Sequence, residues 1–429
     1  MFYSDVETWS LDRLRSLQSQ RLRDLVQRLH KQVPFYREQF TAHGINPADI
    51  KGIDDLHRLP FTRKTDLRDH YPFGLFASPM EEVRRIHASS GTTGKPTVVG
   101  YSAADLDLFD EVVARSLVAA GARPGMKLHN AYGYGLFTGG LGMHGGATKL
   151  GMAVIPVSGG MTDRQLTILQ DFKPEVICCT PSYAQTLGEE CRKRGIDTAS
   201  LAVQYAVLGA EPWTEAIRAQ VEQELKVAAT NIYGLSEIIG PGVSQEDVDE
   251  KGTGSYVWED HFFPEVVDRD TGEPLPYGEE GVLVFTTLTK QAFPLLRYWT
   301  NDICSLQYDA AGKRTHIKMS AIKGRADDML IIRGVNLFQT QVEEVIHEFE
   351  ELQPNYQLIV TRAGTMDEIA VKVEVAPGVS FENENLSSAL REKIKNTVGI
   401  SMSIELQAPD SIPKSQGGKL KRVVDQRAL

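Results

Sequence analysis

The residues best suited to chemistry lie in short polar clusters. The densest is Ser89-Ser90-Gly91-Thr92-Thr93-Gly94-Lys95-Pro96. Its glycines let backbone N–H groups approach an anion, its hydroxyls add donors, and Lys95 adds a point charge. That is the chemistry of a phosphate cradle. The flanks Arg85-Ile86-His87 and Thr97-Val98-Val99-Gly100-Tyr101 predict a strand on either side. A Walker loop is excluded, because Ser89 stands where its first Gly belongs and Pro96 where its Ser or Thr belongs. A plain surface hairpin uses the same residues, so the rest of the chain has to choose.

Four further clusters matter. Ala131-Tyr132-Gly133-Tyr134-Gly135-Leu136-Phe137-Thr138-Gly139-Gly140 mixes glycine with aromatics but lacks the third Gly of a dinucleotide fingerprint. Tyr132 and Phe137 suit either the wall of an apolar ligand pocket or core positions beside tight turns. Tyr233-Gly234-Leu235-Ser236-Glu237 joins a stacking ring, a hydroxyl and a carboxylate. Beside phosphates, that carboxylate suits Mg²⁺, a hard ion that takes oxygen ligands; a strand-to-turn junction with a solvated Glu fits as well. Asp302, at a strand's end, can accept from both hydroxyls of a ribose, or can be a turn Asp. The tail Lys414-Ser415-Gln416-Gly417-Gly418-Lys419-Leu420-Lys421 is a second basic, glycine-bearing loop, or a loose terminus. Neither Ser89 nor Ser236 lies in G-x-S-x-G, which argues against a hydrolase elbow.

The elements that must position these groups read as α/β. Leucines at helical spacing predict a helix over 9–31, and Ser102 opens another over 103–120. From 141 to 210, helices alternate with the strands 153–157, 176–179 and 205–208, which means a largely parallel, covered sheet. Ligands bind at the carboxyl ends of such strands, so Gly209-Ala210-Glu211 is a natural nucleotide edge. Cys178 and Cys179 sit inside an apolar strand and read as inert. The acids Glu246, Asp247, Asp249, Glu250, Glu259 and Asp260, with His261, leave a metal site conceivable, but they show no regular ligand spacing and read first as a solvated loop. Residues 265–310 read as an antiparallel β subdomain, and the last hundred or so residues as a small α+β domain.

The bulk numbers set limits. A chain of 429 residues is too long for one core and implies two or three domains. Its net charge of −11 argues against a nucleic-acid surface, so any polyanionic ligand needs locally placed cations. Four Cys without a C-x-x-C pair imply a reduced, cytoplasmic protein without structural zinc. No apolar run reaches membrane-spanning length, and no leader is evident.

Taken in order, these clusters resemble the adenylate-forming superfamily, and most closely the phenylacetate–CoA ligase family. The likeness rests on 89–96, 131–140, Tyr233 to Glu237, Trp258-Glu259-Asp260-His261-Phe262, Asp302, Gly324-Arg325-Ala326-Asp327-Asp328 and Gly418-Lys419. It implies a large N-terminal adenylation domain, 1–325, and a mobile C-terminal domain, 326–429. It also implies two steps: a carboxylate attacks the α-phosphate of ATP-Mg²⁺, then CoA thiolate displaces AMP. By match, Ser89, Ser90, Gly91, Thr92, Thr93, Gly94 and Lys95 hold the β- and γ-phosphates. Gly209, Ala210 and Glu211, with Asn231, Ile232 and Tyr233, flank adenine. Ser236 touches phosphate or carboxylate, Glu237 holds Mg²⁺, Asp302 holds the ribose with Arg325 nearby, and Asp327 is the hinge. Lys419 reaches in for adenylation; the extra Gly417-Gly418 pair leaves the register ambiguous by one residue but favours Lys419 over Lys414 or Lys421.

The implied aryl pocket is Tyr132, Phe137, Ile239 and Pro241, with Gly139, Gly140 and Ala210 leaving room for a flat ring. Phenylacetate is the first substrate expected. Benzoate-type acids such as anthranilate, or a carrier protein in place of CoA, are the alternatives. A non-catalytic nucleotide-binding scaffold would need neither Glu237 nor Lys419. A homodimer is expected only at family level.

Overall fold

The computed structural model describes residues 1–89, 96–326, 330–332, 335–363, 366–414, 420 and 422–427. The first long helix, Leu11–Gln32, is capped by Ser10, whose hydroxyl accepts the Arg13 amide, and it gives way at Val33-Pro34 to the helix Pro34–Ala42. Leu14, Leu22, Leu25, Val26 and Leu29 are buried, while Leu11 stays exposed. Gln18 is buried too, because its side-chain amide donates to the Glu259 carbonyl at 3.1 Å.

One twelve-stranded sheet runs through the N-terminal part. Its parallel section orders the strands Ala153–Ile155, Lys127–Asn130, Val176–Cys179, Tyr205–Gly209 and Ala228–Leu235. The helices Pro181–Lys193 and Glu215–Leu225 belong with a core that holds Ile177, Cys179, Leu187 and Val221. The helices Ala103–Ala119 and Thr138–Leu150 pack closely together. A Cβ on Gly146 would come within 2.4 Å of Val113, so glycine is what allows that approach. The cysteines behave as expected: all four are buried and free, and burial drives the Cys178 and Cys179 thiols upward.

The antiparallel strands expected as a β subdomain are present, and their pairing continues the same sheet. Ala228–Leu235 turns back into Gly240–Gln245, with Ile232 opposite Gln245, and the path runs on through Ser255–Val257, Lys318–Met319, Tyr298–Gln307, Glu280–Thr287 and Phe262–Val267. Gly240 makes the reversal possible. Its φ is +120°, and any Cβ there would strike the Phe109 ring at 2.4 Å. The sheet therefore has a seam at 235–240, where parallel pairing ends.

The residues from Leu330 to Leu406 form a separate hydrophobic cluster. Its sheet orders Ser403–Gln407, Met366–Val375, Leu352–Ala363 and Val423–Asp425, and the helices Gln339–His347 and Glu384–Val398 contribute Val342, Ile346, Leu390 and Ile394 to the same core. No helix among the described residues is long and apolar enough to cross a membrane.

Candidate active site

The strand Val83–Ser89 pairs antiparallel with Thr97–Ser102, Ser89 opposite Thr97, so the expected flanking strands are present. Ser90, Gly91, Thr92, Thr93, Gly94 and Lys95 lie outside the described residues, as do Asp327 and Lys419. The hairpin is tied to the aromatic cluster: the Ala88 amide donates to the Leu136 carbonyl at 3.1 Å, and His87 Nδ1 meets the same oxygen at 2.9 Å.

Three of the expected nucleotide residues converge. The Tyr233 hydroxyl donates to Asp302 Oδ2 at 2.5 Å, and the Arg325 guanidinium meets Asp302 Oδ1 at 3.4 Å. Backbone pairing sets this up, because Asp302 faces Arg325 across an antiparallel ladder. Asp302 is not at a strand's end, as the sequence reading had it, but inside Tyr298–Gln307. A kink supplies the effect of an end: Arg297 and Asn301 both have positive φ, and pairing with Glu280–Thr287 slips between Val282 and Val284. The buried Arg297 pins the kink through a two-pronged ion pair with Glu265, at 2.9 and 3.0 Å, and through the His57 and Leu59 carbonyls.

Ser236 and Glu237 occupy the seam. The Ser236 hydroxyl lies 3.1 Å from that of Thr138, the first residue of the helix Thr138–Leu150. Glu237 Oε1 accepts the Tyr298 hydroxyl at 3.3 Å and the side chain is 7% exposed. The Glu237 carboxylate, partnered by the Tyr298 hydroxyl, is of the oxygen-donor type that a hard divalent cation takes.

Sequence reasoning missed Lys290. It is 2% exposed, and its ammonium donates to the Glu237 carbonyl at 3.3 Å between the rings of Tyr101 and Phe293, at 4.8 and 5.1 Å. Burial pulls it down to about 8. Asp105 holds the loop, accepting the Gln291 and Ala292 amides at 2.6 and 2.8 Å. The available signal was a single cation in the apolar run 287–296.

The residues expected to line an aryl pocket are placed as follows. Tyr132 is buried, its hydroxyl near Gly209 and Glu211, with the Gly139 face against its ring. Gly140 instead abuts the Gly133 carbonyl. Ile239 is fully buried in the same core as Tyr132, with its carbonyl accepting the Tyr101 hydroxyl at 2.8 Å. Pro241 is half-buried beside it, and Phe137 is 43% exposed at the helix start. Of the residues expected to flank adenine, Gly209 packs on Ile232, Ala210 has φ +72°, and Asn231 accepts the Trp213 indole N–H at 3.1 Å. The Glu211 carboxylate accepts the Ser182 hydroxyl and amide at 2.7 and 3.2 Å, and the Leu420 amide at 2.6 Å.

The acids from 246 to 260 are not a solvated loop. Glu246, Asp247, Glu259 and Asp260 are buried: cations distant in sequence reach Glu246, Asp247 and Asp260, while Glu259 accepts the Tyr308 hydroxyl at 2.8 Å and the Ile317 amide at 2.6 Å. Glu246 pairs with Arg218 at 2.7 Å, Asp247 with Arg314, and Asp260 with Arg115 at 2.8 Å and His261 at 3.0 Å. Burial pushes Glu259 up to about 7. Among the described residues no group of three His, Cys, Asp or Glu could hold a metal.

The family model described as AMP-binding enzyme matches residues 75–289, and that described as AMP-binding enzyme C-terminal domain matches 334–427. The chain is 61% identical to the phenylacetate-coenzyme A ligase of Thermus thermophilus over 100% of both chains. It is 51% identical to that of Aromatoleum evansii, over 98% of this chain and 96% of the relative. Among solved structures, 2-hydroxyisobutyryl-CoA ligase in the postadenylation state with 2-HIB-AMP matches with a TM-score of 0.92 at 26% identity, covering 98% of this chain and 91% of that one. The same enzyme with 2-HIB-AMP and CoA in its thioesterification state scores 0.72.

Proposed function

The chain belongs to the AMP-binding enzyme family and, within it, to the phenylacetate-coenzyme A ligases, and from that premise we propose how its residues divide the work. It is an AMP-forming acid–thiol ligase. A carboxylate oxygen of the aryl acid bonds to the α-phosphorus of ATP and pyrophosphate leaves. The sulfur of CoA then bonds to the acyl carbon, AMP leaves, and the thiol proton is lost. No covalent enzyme intermediate is required, so the protein's contribution is to hold two anions together and stabilise charge on the α-phosphate.

The observation that carries the division of roles is one convergence. Tyr233, Asp302 and Arg325 form a bonded group, and Ser236 and Glu237 follow Tyr233 at the seam of the sheet. In this reading Asp302 takes the ribose hydroxyls and Ser236 orients the reacting groups. Glu237 with the nearby hydroxyls holds Mg²⁺, which would supply charge neutralisation for the phosphates when bound. The loop 89–95 closes on the leaving pyrophosphate, and Lys419 supplies positive charge during adenylation only. Tyr132 and Gly139 line the aryl pocket. The separate core beginning at Leu330 supports a boundary near 325/326 with Asp327 as hinge. Rotation there would let one site serve two reactions. The reading carries a cytoplasmic setting and a homodimer with it.

The test is a panel of aryl acids assayed for ATP-, Mg²⁺- and CoA-dependent AMP release. Phenylacetate is expected to give the highest kcat/KM. Preference for benzoate or anthranilate would reassign the substrate. Pyrophosphate exchange without CoA consumption would point to a carrier protein.

A further inference from the structure

We infer that the helix Pro181–Lys193 is the rail on which the C-terminal tail docks for adenylation, and that Glu189 and Glu211 are positioning residues for that half-reaction alone. The inference rests on the role proposed for Lys419.

Ser182, Gln185, Glu189 and Lys193 recur at three- and four-residue spacing, so they share one face of the helix. The tail meets that face directly at two points and, through Glu211, at a third. At the C-terminal end, Lys193 pairs with Asp410 at 2.8 Å. In the middle, the Lys414 ammonium pairs with Glu189, which is almost fully buried. At the N-terminal end, the Leu420 amide donates to Glu211, whose other oxygen is held by Ser182. The order 193, 189, 182 thus matches 410, 414, 420, and the tail runs antiparallel to the helix. Glu211 thus holds the tail at residue 420.

The tail is equally fixed to its own domain. The buried Glu374 carboxylate accepts the Ile412 amide at 2.6 Å and the Asn355 side chain at 2.9 Å. The Arg422 guanidinium lies 4.5 Å over the Tyr356 ring. A stem held this firmly moves with the C-terminal domain, so rotation of that domain strips all three rail contacts together. Release is not prohibitive, because Asp410 lies 2.8 Å from the same ammonium and travels with it. Lys414 therefore keeps a partner when Glu189 is left behind. Contacts made in one domain arrangement and absent from the other are what bias an equilibrium between them.

The experiment measures the half-reactions separately: ATP–pyrophosphate exchange with phenylacetate, and thioester formation from supplied phenylacetyl-adenylate and CoA. Glu189→Gln and Lys414→Met are each expected to slow exchange by about tenfold and to leave thioester formation unchanged or faster. The double variant is expected to be no slower than either single one. Equal loss in both half-reactions or additive losses would overturn the rail while leaving the ligase reading intact. An unaltered enzyme silent in both half-reactions would take down that reading and the rail with it.

Discussion

Replacing Lys290 by Met separates stability from catalysis in opposite directions. The amine has an ordinary value of 10.5, and burial lowers it to about 8. At about 1.4 kcal/mol per tenfold, keeping it protonated in the fold costs about 3 kcal/mol. The folded chain binds this proton more weakly than the unfolded one. The cost is therefore fully present below pH 8 and fades as pH rises toward 10.5. Methionine fills the same slot between Tyr101 and Phe293 without a charge. Lys290→Met should raise the thermal midpoint at pH 7, and the gain should shrink above pH 8. The same change removes the donor on the Glu237 carbonyl. At 3.3 Å that bond is long for a charged donor, so its worth lies at the low end, about 1.5 kcal/mol. Pyrophosphate exchange should fall about tenfold. The unaltered enzyme should lose exchange activity as pH rises through about 8, and the variant should lack that limb. A lower midpoint at pH 7, or an unchanged pH profile, would refute the argument.

Other perturbations give simpler readouts. Asp302→Ala should raise the KM for ATP in pyrophosphate exchange, with Tyr233 and Arg325 losing their shared acceptor; an unchanged KM would remove it from the ribose site. Lys419→Ala should cripple adenylation and spare thioester formation from supplied adenylate, and equal loss of both would deny it the role proposed. Glu259, raised to about 7 by burial, binds its proton more tightly folded than unfolded, so the stability it contributes is present below its unfolded value and lost as pH rises through 7. Glu259→Gln should flatten the fall in stability between pH 5 and pH 8 seen in denaturant titrations, and an equally steep fall would exclude it as the source.

Local sequence determined a good deal here. The run Val176-Ile-Cys-Cys specifies a buried strand whatever surrounds it, because apolar residues too few for a helix and bounded by turns have little other use. Ser102 and Thr180 announce the helices that follow them, since a hydroxyl that caps free amides acts within one turn. Much of the candidate site was legible in the same way: Tyr233, Ser236 and Glu237 lie in one stretch of five residues. Partnership across distance was not legible. Glu246, Asp247 and Asp260 look like a solvated loop until the fold delivers Arg218, Arg314 and Arg115 to them. Nothing in a side chain's type says whether a countercharge 28 or 145 residues away will reach it. Lys290 is anonymous in sequence because its buried setting is assembled from the strand that holds Tyr101, the helix that holds Asp105 and the seam that holds Glu237. The spacing of Ser182, Gln185, Glu189 and Lys193 was visible, but what docks on that face was not, since the tail meets it only after two separately cored parts of the chain come together. Residue types and short spacings set which chemistry is available; the order of strands in the sheet and the placement of the second domain decided which groups share a site, because only they bring distant charges within a few ångströms and exclude water between them.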